Sequence, residues 1–123
     1  MIDYAEAQAA CETYIRSLQA SDVETLLALF DDNATIEDPV GTALREGKSA
    51  LRELYSVACE GVLSAALSGA PRLAGNEVAF PFTVTAGTVG EELTINIIDV
   101  FKFNEAGKVV SMRAFWGPNN IGS

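Results

Sequence analysis

The sequence of 123 residues contains no histidine. This absence excludes Ser-His-Asp and Cys-His catalysis, histidine metal sites and proton transfer by imidazole. Any acid–base chemistry therefore depends on carboxylates, tyrosines and lysines. Cysteine is also scarce: Cys11 and Cys59 stand outside any metal-ligand spacing, so we expect both to be free thiols packed as small apolar side chains.

Basic residues are few, 8 against 17 acidic ones, which gives a net charge of -9 and a pI of about 4.3. Such a chain repels the phosphates of nucleic acids and anionic membranes, so neither is expected as a partner. No run approaches the roughly 20 apolar residues of a membrane span, and residues 1–6 do not resemble the start of a signal peptide. We therefore expect a cytoplasmic protein, with residues 1–123 forming one domain around one core.

Apolar residues recur at spacings of three and four in the first half of the chain, which predicts three helices. The first spans residues 3–20 with a capping box from Asp3 to Glu6, and it carries Tyr14 on its apolar face. A second capping box at Ser21–Glu24 opens the next helix, whose apolar face includes Phe30. The third spans residues 48–58 and carries Tyr55 on its apolar face.

The second half alternates between apolar and polar residues, which predicts strands over 63–67, 77–85, 93–103 and 109–116, after an earlier strand at 34–38. Pro81 indicates an edge position or a bulge, and residues 118–123 are expected to be a tail. The last strand is predicted to place Val110 inward and Val109 outward. These elements predict an α+β fold, with three helices packed on one face of a curved, mainly antiparallel sheet.

Large apolar side chains on the inward faces could line a pocket in that sheet or simply fill a core: Phe80, Phe82, Phe101, Phe103, Met112 and Trp116.

Four polar side chains interrupt faces that are otherwise apolar: Tyr14, Asp38, Tyr55 and Asp99. The tyrosines could anchor their hydroxyls to backbone carbonyls, and the aspartates could form buried ion pairs or caps. However, the predicted inward faces carry no basic partner. Two carboxyl groups in different environments can instead supply an ionised base and a protonated acid, and a tyrosine beside the acid completes an oxyanion hole. That set suits proton abstraction next to a carbonyl.

Three segments carry a resemblance to a known family: residues 22–30, residues 31–41 with the sequence DDNATIEDPVG, and residues 109–117 with the sequence VVSMRAFWG. They resemble the bacterial Δ5-3-ketosteroid isomerases, which have the cone-shaped fold of the nuclear-transport-factor-2-like (SnoaL-like) superfamily. The resemblance spans essentially the whole chain. The tyrosine and the protonated aspartate of that family's oxyanion hole are already established, so their assignment here is inherited from the family.

The resemblance implies that Asp38 moves a proton from C4 to C6 of a 3-oxo-Δ5-steroid. It implies that Tyr14 and Asp99 donate hydrogen bonds to the C3 oxygen, and that Tyr55 orients Tyr14. Phe30 stands where some members carry a further tyrosine.

Further expectations concern ligands and partners. The residues expected to contact the apolar steroid are Trp116, which could also donate to Asp38, with Phe80, Phe82, Phe101, Met112 and Val40. Because the reaction is an internal proton transfer, no metal, nucleotide or flavin is expected. The family also forms dimers through its sheets, and Ile98, Val100, Val109 and Phe115 are expected on that outer face.

Two other functions remain compatible with the sequence. The superfamily includes polyketide-cyclase-like and epoxide-hydrolase-like enzymes, and fold alone does not choose among them. An epoxide hydrolase of this fold is expected to need an inward Asp-Arg-Asp set, and no inward arginine is predicted. The other alternative is a module that binds an apolar ligand or a peptide without catalysis.

Overall fold

A computed structural model describes residues 1–122. Its three α-helices and eight strands, with one short 3-10 helix at Pro118–Asn120, are α1 (Tyr4–Ala20), α2 (Val23–Leu27), β1 (Phe30–Glu37), β2 (Arg45–Glu46), α3 (Lys48–Gly61), β3 (Val62–Leu67), β4 (Arg72–Ala74), β5 (Glu77–Thr88), β6 (Glu91–Phe103), β7 (Val109–Phe115) and β8 (Ile121–Gly122).

The strands form one curled sheet in the order β2-β1-β7-β6-β5-β3, with β4 paired to β5 and β8 paired to β6. Strands β1 and β7 run parallel, whereas the other pairs are antiparallel. The three helices pack on this sheet. The prediction of an α+β fold with helices on a mainly antiparallel sheet is therefore confirmed.

The first helix begins as predicted, because the Asp3 carboxylate accepts from the backbone N–H of Glu6 and the Glu6 carboxylate accepts from that of Asp3. The second capping box is wrong by one residue. Ser21 ends α1 in the left-handed conformation, and Asp22 caps α2 by accepting from the backbone of Thr25. Ser21 is occupied elsewhere, since its hydroxyl donates to the carbonyl of Cys59 at 2.9 Å.

Phe30 was expected on the second helix, but it opens β1. Helix α2 stops at Leu27, and the backbone N–H of Val109 donates to the carbonyl of Leu29 at 2.9 Å. This bond begins the parallel ladder in which Phe30 lies opposite Val109. The spacing of Phe30 fits a helix, but pairing with a strand 79 positions away along the chain decides its conformation.

The inward and outward assignments at the start of β7 were also wrong. Val109 is fully buried, whereas Val110 is only partly buried. The register between β6 and β7 shifts between Lys102 and Phe103, so the ladder is irregular at this point. A bulge moves the following side chains by one position relative to strict alternation.

Pro81 lies within β5, which has neighbours on both sides and is not an edge strand. Its position is nevertheless locally open: β3 pairs as far as Phe82, and β4 begins pairing at Ala79. The carbonyl of Pro81 accepts from the backbone of Ser68, just beyond the end of β3. The proline therefore occupies the gap between two partners, where its missing N–H interrupts no ladder.

The expected tail is also wrong for residues 118–122, because Ile121 and Gly122 pair with β6. Residue 123 lies outside the described residues. Cys11 and Cys59 are both free and buried, as expected, and burial chiefly raises the pKa of the Cys11 thiol to about 12.

Candidate active site

A cavity of about 220 Å³ contains all four of the polar side chains that interrupt apolar faces. Its walls come from α1, α3 and the inner face of the sheet, and they are otherwise apolar. The lining residues are Tyr14, Leu18, Asp38, Tyr55, Ala58, Val62, Phe82, Val84, Ala86, Ile95, Ile97, Asp99, Ala114 and Trp116.

Asp38 reaches this cavity because it follows the buried row of β1. Ala34 and Ile36 are fully buried on the inward face, and alternation places Asp38 on the same side just after the strand ends. The indole N–H of Trp116 donates to the Asp38 carboxylate at 2.9 Å. The backbone around the carboxylate is tied to β7, since the N–H of Val40 donates to the carbonyl of Ala114 at 2.8 Å.

Two opposing influences act on the protonation of Asp38. Burial raises its pKa above the ordinary value, while the hydrogen bond from Trp116 and the charge of Arg45 lower it. A carboxylate that is partly buried but hydrogen-bonded can accept a proton more readily than an exposed one and still be ionised before substrate binds.

Asp99 has a different environment. It lies in β6 opposite Phe80 on one side and Ala114 on the other, and only 1% of it is exposed. Neither carboxyl oxygen has a hydrogen-bond partner among residues 1–122. Burial raises its pKa well above the ordinary value, and the charge of Asp38 adds to the rise, against a smaller opposing effect of the Tyr14 hydroxyl. These influences favour the protonated acid.

Tyr14 and Tyr55 join α1 to α3 through a hydrogen bond of 2.9 Å between their hydroxyls. Both rings are buried, and the Tyr14 ring makes edge contacts with Phe80, Phe82 and Phe101. Burial raises the pKa of both phenols well above the usual value. The hydroxyls therefore stay neutral, and the bond between them leaves one proton available to a third group.

The resulting arrangement brings together one carboxylate held by an indole N–H, one unpaired carboxyl group that favours its neutral form, and a pair of phenols. Such a site can accept a proton at Asp38 and stabilise negative charge beside Asp99 and Tyr14.

The structure brings some predicted binding residues to the cavity and places others elsewhere. Phe82 and Trp116 line it. Phe80, Phe101 and Met112 are at most 1% exposed and belong to the core next to it. Val40 lines an adjoining surface groove together with Ile98, and this groove shares Phe82, Ile97 and Trp116 with the cavity.

Several lining residues were not singled out from the sequence. Val84 and Ala86 on β5, and Ile95 and Ile97 on β6, all line the cavity. They belong to the same alternating rows as the phenylalanines, but they lie nearer the turn that joins β5 to β6. The available signal was the smaller side chains at that end of each row.

The sequence profile of the SnoaL-like domain family matches residues 11–112 of this chain. The chain belongs to the SnoaL-like family. This SnoaL-like protein is 34% identical over 117 residues to a steroid Delta-isomerase from Nocardioides simplex, and the match covers 95% of the chain and 94% of that enzyme. The relatives found for it are enzymes.

Other relatives of this SnoaL-like protein carry a different activity. It is 32% identical over 110 residues to the epoxide hydrolase LasB from Streptomyces lasalocidi, and this match covers 85% of the chain but only 39% of LasB. It also superimposes on the solved structure of SalBIII, an epoxide hydrolase/cyclase-like enzyme of pyran ring formation in the polyether salinomycin, with a TM-score of 0.89 and 32% identity. That superposition covers 99% of the chain and 98% of SalBIII.

None of the helices within residues 1–122 is both long and apolar enough to cross a membrane.

Proposed function

We propose that this protein is a steroid Δ-isomerase, which converts 3-oxo-Δ5-steroids into conjugated 3-oxo-Δ4-steroids. The observation that carries the proposal is that a hydrogen-bonded Asp38 and an unpaired, buried Asp99 share one apolar cavity with a tyrosine pair. The identity of 34% to a steroid Delta-isomerase over almost the whole chain supports it.

In the proposed reaction, Asp38 removes the proton from C4, and the electrons of that C–H bond move into a dienolate with its negative charge on the C3 oxygen. Tyr14 and Asp99 donate hydrogen bonds to this oxygen. Asp38 then returns the proton to C6, which leaves the double bond between C4 and C5. The same proton leaves and returns, so the step requires no oxidant, reductant or cofactor.

The unpaired state of Asp99 is costly unless a ligand uses it. A buried polar group without a partner costs about 1–3 kcal/mol, and both Asp99 oxygens are in that state. An enolate oxygen accepts a hydrogen bond from the neutral acid, and it does so more strongly than the ground-state ketone because it carries the charge. Stabilisation that grows as the charge develops accelerates the chemical step.

The remaining cavity wall fits an apolar ligand. Apart from the four polar side chains, the lining residues are hydrocarbon or aromatic, so binding would derive from burial of apolar surface, at about 25 cal/mol per Å². This accounts for affinity to a flat hydrocarbon skeleton without a dedicated polar binding motif.

A second candidate is an enzyme that opens epoxides and closes rings, as the similarity to LasB and SalBIII suggests. In such a reaction Asp38 would deprotonate the attacking hydroxyl, and Asp99 would protonate the epoxide oxygen. The alternative of water activation by an Asp-Arg-Asp set has no support in the described part of the chain, where all five arginines are exposed. A non-catalytic binding module is the third candidate.

The test supplies 5-androstene-3,17-dione to the purified protein and follows the ultraviolet absorbance of the conjugated enone. We expect rapid enone formation, lost almost completely in Asp38→Asn and unchanged in Asp32→Asn, because the Asp32 side chain is 92% exposed. A well-folded protein that forms no enone contradicts the proposal. Closure of hydroxy-epoxides in its place would select the second candidate, and tight steroid binding without turnover would select the third.

Two further assignments belong to this proposal. We propose a homodimer that forms through the outer face of the sheet, where Ile98 and Phe115 remain 47% and 41% exposed. Val109, one of the residues expected on that face, is instead fully buried and takes no part. The expected cytoplasmic location stays a prediction.

A further inference from the structure

Arg45 lies on the edge strand next to the proposed general base. Strand β2 pairs antiparallel with β1, so that Arg45 is opposite Ile36 and Glu46 is opposite Thr35. Side chains that are directly opposite each other on an antiparallel pair share a face. Ile36 points into the core, as does Asp38 just past the end of β1, so continuing the register places Arg45 on the face of Asp38 and one diagonal step away.

That diagonal step is short enough for an electrostatic effect. Diagonal neighbours on paired strands are about 7–8 Å apart, within reach of a long side chain. Arg45 is exposed at the edge of the sheet, so its guanidinium acts on Asp38 through space from the solvent side. It does not enter the cavity as an ion-pair partner.

The charge of Arg45 is not neutralised by another residue. Salt bridges found among residues 1–122 join Lys48 to Asp32, Arg52 to Glu24 and Arg113 to Glu37, and none of them includes Arg45. Unlike Arg45, Arg113 is held at 3.3 Å by a carboxylate on the other face of β1. Arg45 is therefore the arginine beside β1 whose full charge is available to Asp38.

The other titratable groups that share the cavity with Asp38 cannot supply positive charge. They are Tyr14 from α1, Tyr55 from α3 and Asp99 from β6. Burial raises the pKa of Asp38, and Arg45 supplies the charge that lowers it. Without that cation, the buried carboxylate would keep only the hydrogen bond from Trp116 in its favour.

We propose that Arg45 is an electrostatic positioning residue, which holds Asp38 in its carboxylate form so that the base is ready to accept a proton. The inference rests on the proposed function for the role of Asp38 as a base. It assigns to β2, a strand of two residues outside the cavity, a direct effect on the chemistry inside it.

The test titrates the Asp38 carboxyl by carbon NMR in protein labelled at aspartate, with the signal assigned by its loss in Asp38→Asn. We expect the titration midpoint of Asp38 to move to higher pH in Arg45→Gln and further in Arg45→Glu. Arg72→Gln is the matched control, because Arg72 is exposed, lacks a carboxylate partner and lies on β4. In this variant the titration midpoint of Asp38 should equal that of the wild type.

Two further readouts separate an electrostatic role from a structural one. On the acidic side of the pH profile, kcat/KM of Arg45→Gln should fall roughly two- to fivefold, while the plateau at higher pH stays within about twofold. Added salt should move the wild-type midpoint towards that of the variant, since exposed charges are screened.

An unchanged Asp38 midpoint in Arg45→Gln, or an equal shift in Arg72→Gln, would overturn the inference. Because the NMR titration needs no substrate, its result is independent of the enone assay. A shifted midpoint in a protein that forms no enone would support the role of Arg45 and reject the isomerase, whereas an active isomerase with an unshifted midpoint would reject only the role of Arg45.

Discussion

Replacement of Asp99 by asparagine tests whether this buried carboxyl is neutral in the folded protein. The amide has almost the same shape as the acid but cannot ionise. The two proteins should therefore differ in how their free energy of unfolding depends on pH, even where their structures are the same.

The magnitude follows from the burial of Asp99. In the unfolded chain an aspartate ionises near pH 4, whereas burial and the charge of Asp38 hold the folded pKa well above that value. Between these two pKa values the folded wild type binds one more proton than its unfolded chain. Its free energy of unfolding should fall with rising pH by about 1.4 kcal/mol per unit more than that of Asp99→Asn.

The stability advantage of the variant is thus absent below about pH 4, grows as pH rises, and stops growing above the folded pKa. Asp38 has a raised pKa as well, but it is present in both proteins and largely cancels in the difference. From about pH 5 to about pH 7 the variant should gain roughly 3 kcal/mol relative to the wild type if the folded pKa lies above this range.

Urea unfolding at several pH values measures this difference, and thermal unfolding checks it, with about 3–5 °C expected for each kcal/mol. Asp32→Asn is the control, since it makes the same substitution at a side chain that is 92% exposed. A flat difference for Asp99→Asn would mean that Asp99 ionises as in an unfolded chain. That result would refute its role as a neutral hydrogen-bond donor.

Two further predictions concern the tyrosine pair and the outer face of the sheet. Tyr14→Phe removes an oxyanion donor and should lower kcat roughly 10²- to 10³-fold, whereas Tyr55→Phe leaves that donor in place and should cost about tenfold or less; equal losses in steady-state assays would contradict the separate roles. Ile98→Asp should convert a dimer into a monomer in sedimentation velocity, because it places a charge in an apolar contact, and a wild type that sediments as a monomer would reject the dimer outright.

The spacing of apolar residues was sufficient to predict elements in which burial follows a simple local alternation. The alternating row of β5, from Val78 through Phe80 to Phe82, is buried as expected. The failures involve distant partners: Phe30 joins a strand because of its pairing with Val109, and Val110 is displaced by a bulge. Neither feature has a signal within a short window of sequence.

For the site, the informative signal was the presence of polar side chains on faces that are otherwise apolar. Asp38 and Asp99 each interrupt an apolar row, and both line the same cavity. The sequence could not separate lining residues from core residues, because Phe101 and Ile97 occupy equivalent faces of β6. Phe101 packs against Tyr14 and Phe30, whereas Ile97 lines the cavity, and these contacts depend on the whole fold.

In the proposed mechanism, one carboxylate carries a proton from C4 to C6 beside a neutral donor. The most direct test supplies 5-androstene-3,17-dione deuterated at C4 in ordinary water and analyses the product by mass spectrometry and NMR. We expect conjugated enone with a substantial fraction of the deuterium at C6. Product formed with none of the deuterium at C6, or no product at all, would contradict it.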